Sequence, residues 1–143
     1  MQPRKLIYPD GTYSIVEALP CPVIKKRDKE LKSEIEAAVK DRGLVVQVFP
    51  PLPTSSLQGE QSFVFFDGAA VTVRIYETPA TNRYGADCYD LLDRIALLLH
   101  FTNPGNVCAT PMRIAKRPCA MVESPTQRIM DVFFTAVYQL TRP

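Results

Sequence analysis

Apolar and polar side chains alternate strictly from Val71 to Tyr76. Val71, Val73 and Ile75 fall on one side, and Thr72, Arg74 and Tyr76 on the other. A period of two is that of a strand with one buried face. A second β-rich run, SFVFF, precedes it, with Asp67-Gly68 between the two. Asp-Gly supplies the positive φ that a tight turn needs, so the pattern predicts a hairpin turning at Asp67-Gly68. The second strand ends at Glu77-Thr78-Pro79, because proline cannot continue a ladder. After a polar connection over 80–85 the period changes. Leu91, Leu92, Ile95, Leu98 and Leu99 recur at three and four residues, predicting an amphipathic helix near 86–101 that stops before Thr102-Asn103-Pro104-Gly105.

The flanking segments follow the same logic. Leu6-Ile7-Tyr8 and Thr12 to Val16 surround Pro9-Asp10-Gly11, which is turn chemistry, so residues 1–24 form an arm that is either a small hairpin or an extended tail. Leu31, Ile35, Ala38 and Val39 make the narrow apolar face of a helix over 28–42, with Asp28 as N-cap and Gly43 as its stop. Leu44 to Phe49 is a continuous β-branched and aromatic run, hence a strand. Residues 50–60, PPLPTSSLQGE, contain nothing from which a core is built and are expected to form a long loop, as are 103–111. Met112 to Val122 is β-like but interrupted by Pro118, as a kinked or edge strand would be. Along Ile129 to Leu140, Met130, Val132, Phe134, Ala136, Tyr138 and Leu140 share one face at period two, predicting a long final strand. The expected class is α+β: a largely antiparallel sheet of four or more strands with two helices packed on one face. At 143 residues the chain is most simply one domain, an arm (1–24) followed by a core (25–143).

Composition narrows function mainly by exclusion. The formal net charge of +2 argues neither for nor against a nucleic-acid partner. Lys25-Lys26-Arg27 reads as a solvated charge run before a helix of mixed sign, so nucleic acid is not expected as a specific ligand. No apolar run approaches the roughly 20 residues of a membrane span, and the N-terminus lacks the apolar stretch of a secretory leader. Cysteines at 21, 88, 108 and 119 match neither a zinc nor a redox spacing and read as buried, reduced thiols. His100 closes the second helix, where it can favour the negative end of the dipole. Cys88, near the start of that helix, would be activated if exposed but lies close to the apolar stripe. Asp87, Asp90 and Asp93 lack the glycine and terminal glutamate of a calcium loop, and complement the helix's positive end instead. No catalytic, cofactor-binding or metal-binding residue is assigned, and no cofactor is expected.

One segment carries a resemblance. VTVRIYETPATNR (71–83), with the corner Glu77-Thr78-Pro79 and Asn82-Arg83 ahead of the helix at Asp87, resembles the tail terminator, or tail-completion, proteins of long-tailed bacteriophages and prophages, the group of the minor tail protein U of lambdoid phages. The charged helix near the N-terminus and the two C-terminal strands agree with that pattern over roughly 28–141. The arm and the segment 50–60 depart from it. The resemblance implies a non-enzymatic virion protein that forms a ring, commonly of six subunits, on the tail tube. There it would stop polymerisation and present a docking surface to the head. Its partners would be itself, the tail-tube protein and the head–tail connector, and its locations the host cytoplasm during assembly and then the virion tail. Arg74, Tyr76, Glu77, Pro79, Asn82 and Arg83 are the expected interface residues. Arg83 either pairs across that interface or makes a local salt bridge to Glu77 or Asp87. Three other readings stand beside this one: a head–tail connector or neck protein, a small α/β RNA-binding module using Tyr76, Phe63 and Phe65, and an enzyme using Cys88 or Cys119.

Overall fold

The computed structural model describes residues 2–24, 31–49, 52–61, 64–102 and 108–141. In chain order these are β1 (Arg4–Ile7), β2 (Tyr13–Val16), β3 (Val23–Ile24), α1 (Leu31–Arg42), β4 (Leu44–Val48), β5 (Leu52–Gln61), β6 (Val64–Glu77), α2 (Cys88–Leu99), β7 (Cys108–Glu123) and β8 (Arg128–Thr141). The main sheet has the order β3-β4-β6-β8-β7, with β5 also paired to β6. The β3–β4 pair is parallel and the other pairings are antiparallel. This is the expected α+β class.

The alternation that predicted β6 sets its burial. Val71, Val73 and Ile75 join Met130, Val132, Phe134 and Ala136 of β8 and Leu44 and Val46 of β4 in one core, closed by Cys88, Leu91 and Ile95 of α2. Helix α2 starts on a capping box: the Asp90 N–H donates to Asp87 Oδ1 (2.9 Å) and the Asp87 N–H to Asp90 Oδ2 (3.0 Å). It ends at His100, whose Nδ1 accepts the Ile114 N–H at 3.1 Å and so ties the helix end to β7. The cation at that end is supplied by the arm, since Arg4 donates to the carbonyls of Leu97 and His100. The arm is a hairpin, β1 against β2, rather than an extended tail.

Three expectations are corrected. First, the two helices lie on opposite faces of the sheet. Helix α1 packs Ile35 and Val39 on Val45 and Ile24, a separate cluster that touches Tyr76 rather than Val73 and Ile75. Leu44, Val45 and Val46 are all fully buried because β4 is covered on both sides. Second, Asp67-Gly68 is no turn. It lies inside β6, with Asp67 opposite Tyr138 on one side and Leu57 on the other. Two neighbouring strands hold the backbone extended there, and the glycine sits where β5 shifts register. Third, 52–61 is a strand, not a loop. As β5 it continues the line of β4 along β6, from Leu52 opposite Ala70 to Gln61 opposite Val64. Its place beside a single neighbour tolerates Pro53. β7 likewise starts at Cys108, inside the segment expected to be a loop, and runs past Pro111 and Pro118 with several register shifts, as an edge strand can. The expected cap at Asp28 and the run Lys25-Lys26-Arg27 lie outside the described residues.

Candidate functional site

The polar side of β6 faces α1. Register aligns Gln47 with Arg74 and Arg74 with Asp131 in one row across β4, β6 and β8, and Val45, Tyr76 and Ile129 in another. Asp131, only 2% exposed, lies between Met130 and Val132, whose side chains point to the opposite core. A carboxylate so buried requires a partner. Arg74 provides it in bidentate form, Nε to Oδ1 at 2.7 Å and Nη2 to Oδ2 at 3.0 Å. The hydrogen bond that the guanidinium donates to Asp131 is the main reason that it is held above its ordinary pKa. The same guanidinium lies over the Phe49 ring, 5.0 Å from its centre. The Tyr76 hydroxyl donates to Gln47 Oε1 at 2.7 Å.

Because α1 covers the β4 side of this face, a groove of about 630 Å³ opens between helix and sheet. Ile35, Val39, Phe49, Tyr76 and Ile129 line it together with Arg74 and Gln47, and Glu36, Lys40, Thr78, Thr81 and Gln127 complete the lining. The Arg74–Asp131 pair closes on itself, and Tyr76 is committed to Gln47. The groove therefore offers apolar area with a polar margin that carries the charged side chains Glu36 and Lys40.

The groove ends at the corner after β6. Thr78 N–H donates to the Gly43 carbonyl (2.9 Å), and the N–H groups of Thr81 and Asn82 return to the Thr78 carbonyl (3.0 and 3.1 Å). Asn82 then locks the loop: its Nδ2 donates to Glu77 Oε2 and to the Ala86 carbonyl, each at 2.8 Å, while Oδ1 accepts the Tyr84 N–H at 3.0 Å. Glu77, 1% exposed, is also paired with Arg128 Nη1 at 3.1 Å. Cys88 is buried beside Glu77. Burial first, and the neighbouring Glu77 carboxylate second, push its thiol up to about 12. Burial alone is the main cause that pushes Cys21 up to about 11. Cys119 is exposed, unlike the buried thiol expected there.

The expected interface residues thus separate. Arg74 and Tyr76 belong to the groove; Glu77, Pro79 and Asn82 line a shallow pit at the corner with Asp87 and Arg128. Arg83 lies outside both. It is exposed and donates to the carbonyls of Ala80 (2.8 Å) and Asn82 (3.1 Å), while Glu77 pairs with Arg128 and Asp87 caps α2. Tyr76 is half-buried beneath α1 rather than on an open sheet surface of the kind that stacks RNA bases. Phe63 lies outside the described residues, and so does the side chain of Phe65. Sequence reasoning missed Asp131, Arg128 and Gln47. The signal for Asp131 was a lone acid between two core residues of a strand. Among the described residues no helix is long and apolar enough to cross a membrane. No protein-family model matches the chain, and no curated protein matches it.

Proposed function

We propose that this protein is a non-enzymatic structural component of a tailed bacteriophage or prophage, one that caps the tail tube and helps to join tail to head. The observation that carries the reading is the length of the sheet relative to its helices. β6 and β8 have 14 residues each and pair along their whole length. At about 3.3 Å per residue they reach roughly 45 Å. Among the described residues, helices α1 and α2 have 12 residues each, or about 18 Å. The core under α2 spans Val71–Ile75 of β6 and Met130–Ala136 of β8, and the ladder runs on through 64–68 and 137–141, flanked by β5 and β7. A ladder that outruns its own helices suits a subunit packed among other subunits. The order of charged helix, strand ending in a Pro corner, amphipathic helix and two C-terminal strands is the one on which the resemblance to tail terminator proteins rests.

In this reading the corner is built for rigidity and not for chemistry. Glu77 is consumed by Asn82 and Arg128, leaving Pro79 and Arg83 as its outward parts. The test is Arg83→Glu, introduced into the phage or prophage that encodes the protein. Because Arg83 is exposed and bonds only its own loop's carbonyls among the described contacts, circular dichroism should be unchanged. Negative-stain images should show overlong or headless tails. Normal tails with normal folding would refute the role of the corner in assembly.

A further inference from the structure

The N-terminal hairpin and β7 both fasten to the C-terminal end of α2, and one residue joins them there. Ile114 of β7 donates its backbone N–H to His100 Nδ1 at 3.1 Å. Beside that bond, the Phe101 N–H donates to the Met112 carbonyl (2.8 Å) and the Met112 N–H to the Thr102 carbonyl (2.7 Å). The His100 carbonyl is turned instead to Arg4 of the hairpin, which also donates to the Leu97 carbonyl at 2.8 Å. His100 therefore holds β7 through its side chain and the hairpin through its backbone.

A backbone N–H only donates, so Nδ1 must be bare where it accepts the Ile114 N–H. Neutral imidazole has one such nitrogen. Imidazolium has none, since both of its nitrogens carry protons. The bond to β7 exists only while His100 is neutral. We propose that the end of α2 is a proton-operated latch: neutral His100 holds β7 and the N-terminal hairpin against the helix end, and its protonation lets both go.

The surroundings favour release once the proton is on. Protonation sets one N–H against another, and the nearby charges are cationic. Arg4 lies on the His100 carbonyl, and Arg113 of β7 lies over the Phe101 ring, 4.9 Å from its centre, while that ring meets the imidazole edge-on at 4.5 Å. The negative end of the helix, which would otherwise hold an imidazolium, is already taken by Arg4. The last turn of α2 carries no charged side chain. Glu17 of β2 and Asp90, Asp93 and Arg94 of α2 line the crevice under the hairpin, and those of α2 lie about two turns or more before His100. Among the described residues no carboxylate bonds the imidazole to hold it charged in place. The joint is also strained. Phe101 has φ +60°, the left-handed conformation that a helix end usually gives to glycine. An aromatic residue keeps it only where contacts impose it, and here Met112 and Arg113 of β7 supply them. The latched state carries one proton fewer than the released one, so acid drives release, by at most about tenfold per pH unit.

Amide exchange of the full chain, followed by NMR and corrected for the intrinsic effect of pH on exchange, tests the latch. It is measured at about pH 7.5 and about pH 5, either side of the range in which histidine side chains change charge. Protection of the Phe101, Met112 and Ile114 amides should fall roughly fivefold at the lower pH, the worth of one lost hydrogen bond. Val73 and Val132, in the core of the sheet, should not change. Nitrogen relaxation should show the hairpin moving more freely than the sheet at the lower pH only. His100→Asn keeps an acceptor near the Nδ1 position and takes up no proton, so its protection should be the same at both pH values. Arg4→Ala should free the hairpin at both and leave the response of Ile114 in place. Protection of Ile114 that ignores pH in the native chain, or a pH response that survives in His100→Asn, would overturn the latch. A hairpin whose mobility does not follow Ile114 would overturn its share in it. The nitrogen shifts of the native imidazole give a check that needs no variant: at the higher pH the proton belongs on Nε2, and a proton on Nδ1 would overturn the proposal.

Discussion

Replacing Gly43 by alanine tests whether helix α1, the corner and the groove's end are one packed unit. Gly43 has φ +77° and stops α1, its N–H returning to the Val39 carbonyl at 2.9 Å. A Cβ there would meet the Asn82 amide nitrogen, with the Thr81 carbonyl carbon at 2.6 Å and Asn82 Cα at 2.7 Å. All three are backbone atoms, so no side chain can swing aside. The left-handed conformation costs an alanine about 1 kcal/mol. Overpacking adds about 2 kcal/mol as the corner shifts. The sum, about 3 kcal/mol, is a large part of the stability of a small domain. With a urea m-value near 2 kcal/mol/M, the midpoint should fall by about 1.5 M with m unchanged. Gly85 supplies the control: its φ is +75°, but a Cβ there meets nothing within 4 Å. Gly85→Ala should therefore cost only the conformational part, about 1 kcal/mol. Urea melts of both variants followed by circular dichroism decide the matter. Equal losses at the two glycines would refute the claim that contact with the corner, rather than φ, fixes residue 43.

Two further outcomes follow from the buried polar groups. Arg74→Ala should lower stability by about 3 kcal/mol, since it strands the Asp131 carboxylate, whereas the double variant Arg74→Met, Asp131→Leu should recover most of that loss in a chemical-denaturation cycle. Burial pushes the Cys88 thiol up to about 12 in the folded chain, from an ordinary value of 9.0. The unfolded chain therefore releases this proton first, so the thiol costs nothing below pH 9 and stability is lost as pH rises from 9 towards 12. The limiting slope is about 1.4 kcal/mol per pH unit. Cys88→Ala should flatten that alkaline loss relative to the native chain, and parallel curves would disprove the assignment.

Much of the fold was legible because one residue pattern met one physical demand. Val71, Val73 and Ile75 alternate against a single core, and the Leu91–Leu99 stripe is the complementary helix face, so both elements were identified from period alone. Met130 to Ala136 repeats the logic on β8. Where local chemistry and tertiary pairing disagreed, pairing won. Asp67-Gly68 is good turn chemistry, yet β5 and β8 flank it and each ladder bond favours an extended backbone over a turn. Residues 52–61 lack any hydrophobic alternation, because a strand on an edge takes its register from backbone pairing along β6 and need not be patterned by burial.

The misplacement of α1 has a different origin, since the information was present. Leu44-Val45-Val46 is apolar at every position, and a strand that is covered on one face only has no need of that. Continuous burial requires cover on both sides, which one helix cannot give and two helices on the same face cannot give either. Opposite helices follow directly, and with them the fate of Arg74 and Tyr76. Their side of β6 could no longer be open sheet surface; it had to be the partly covered wall of a cleft beside α1. A guanidinium brought there needs a carboxylate from an adjacent strand, and β8 carries one acid, Asp131, between its core residues. What sequence could not supply is register. Arg74 and Asp131 are 57 residues apart, and only the pairing of β6 with β8 brings them to one row. The groove is thus a consequence of topology, visible only once β4, β6 and β8 are placed side by side.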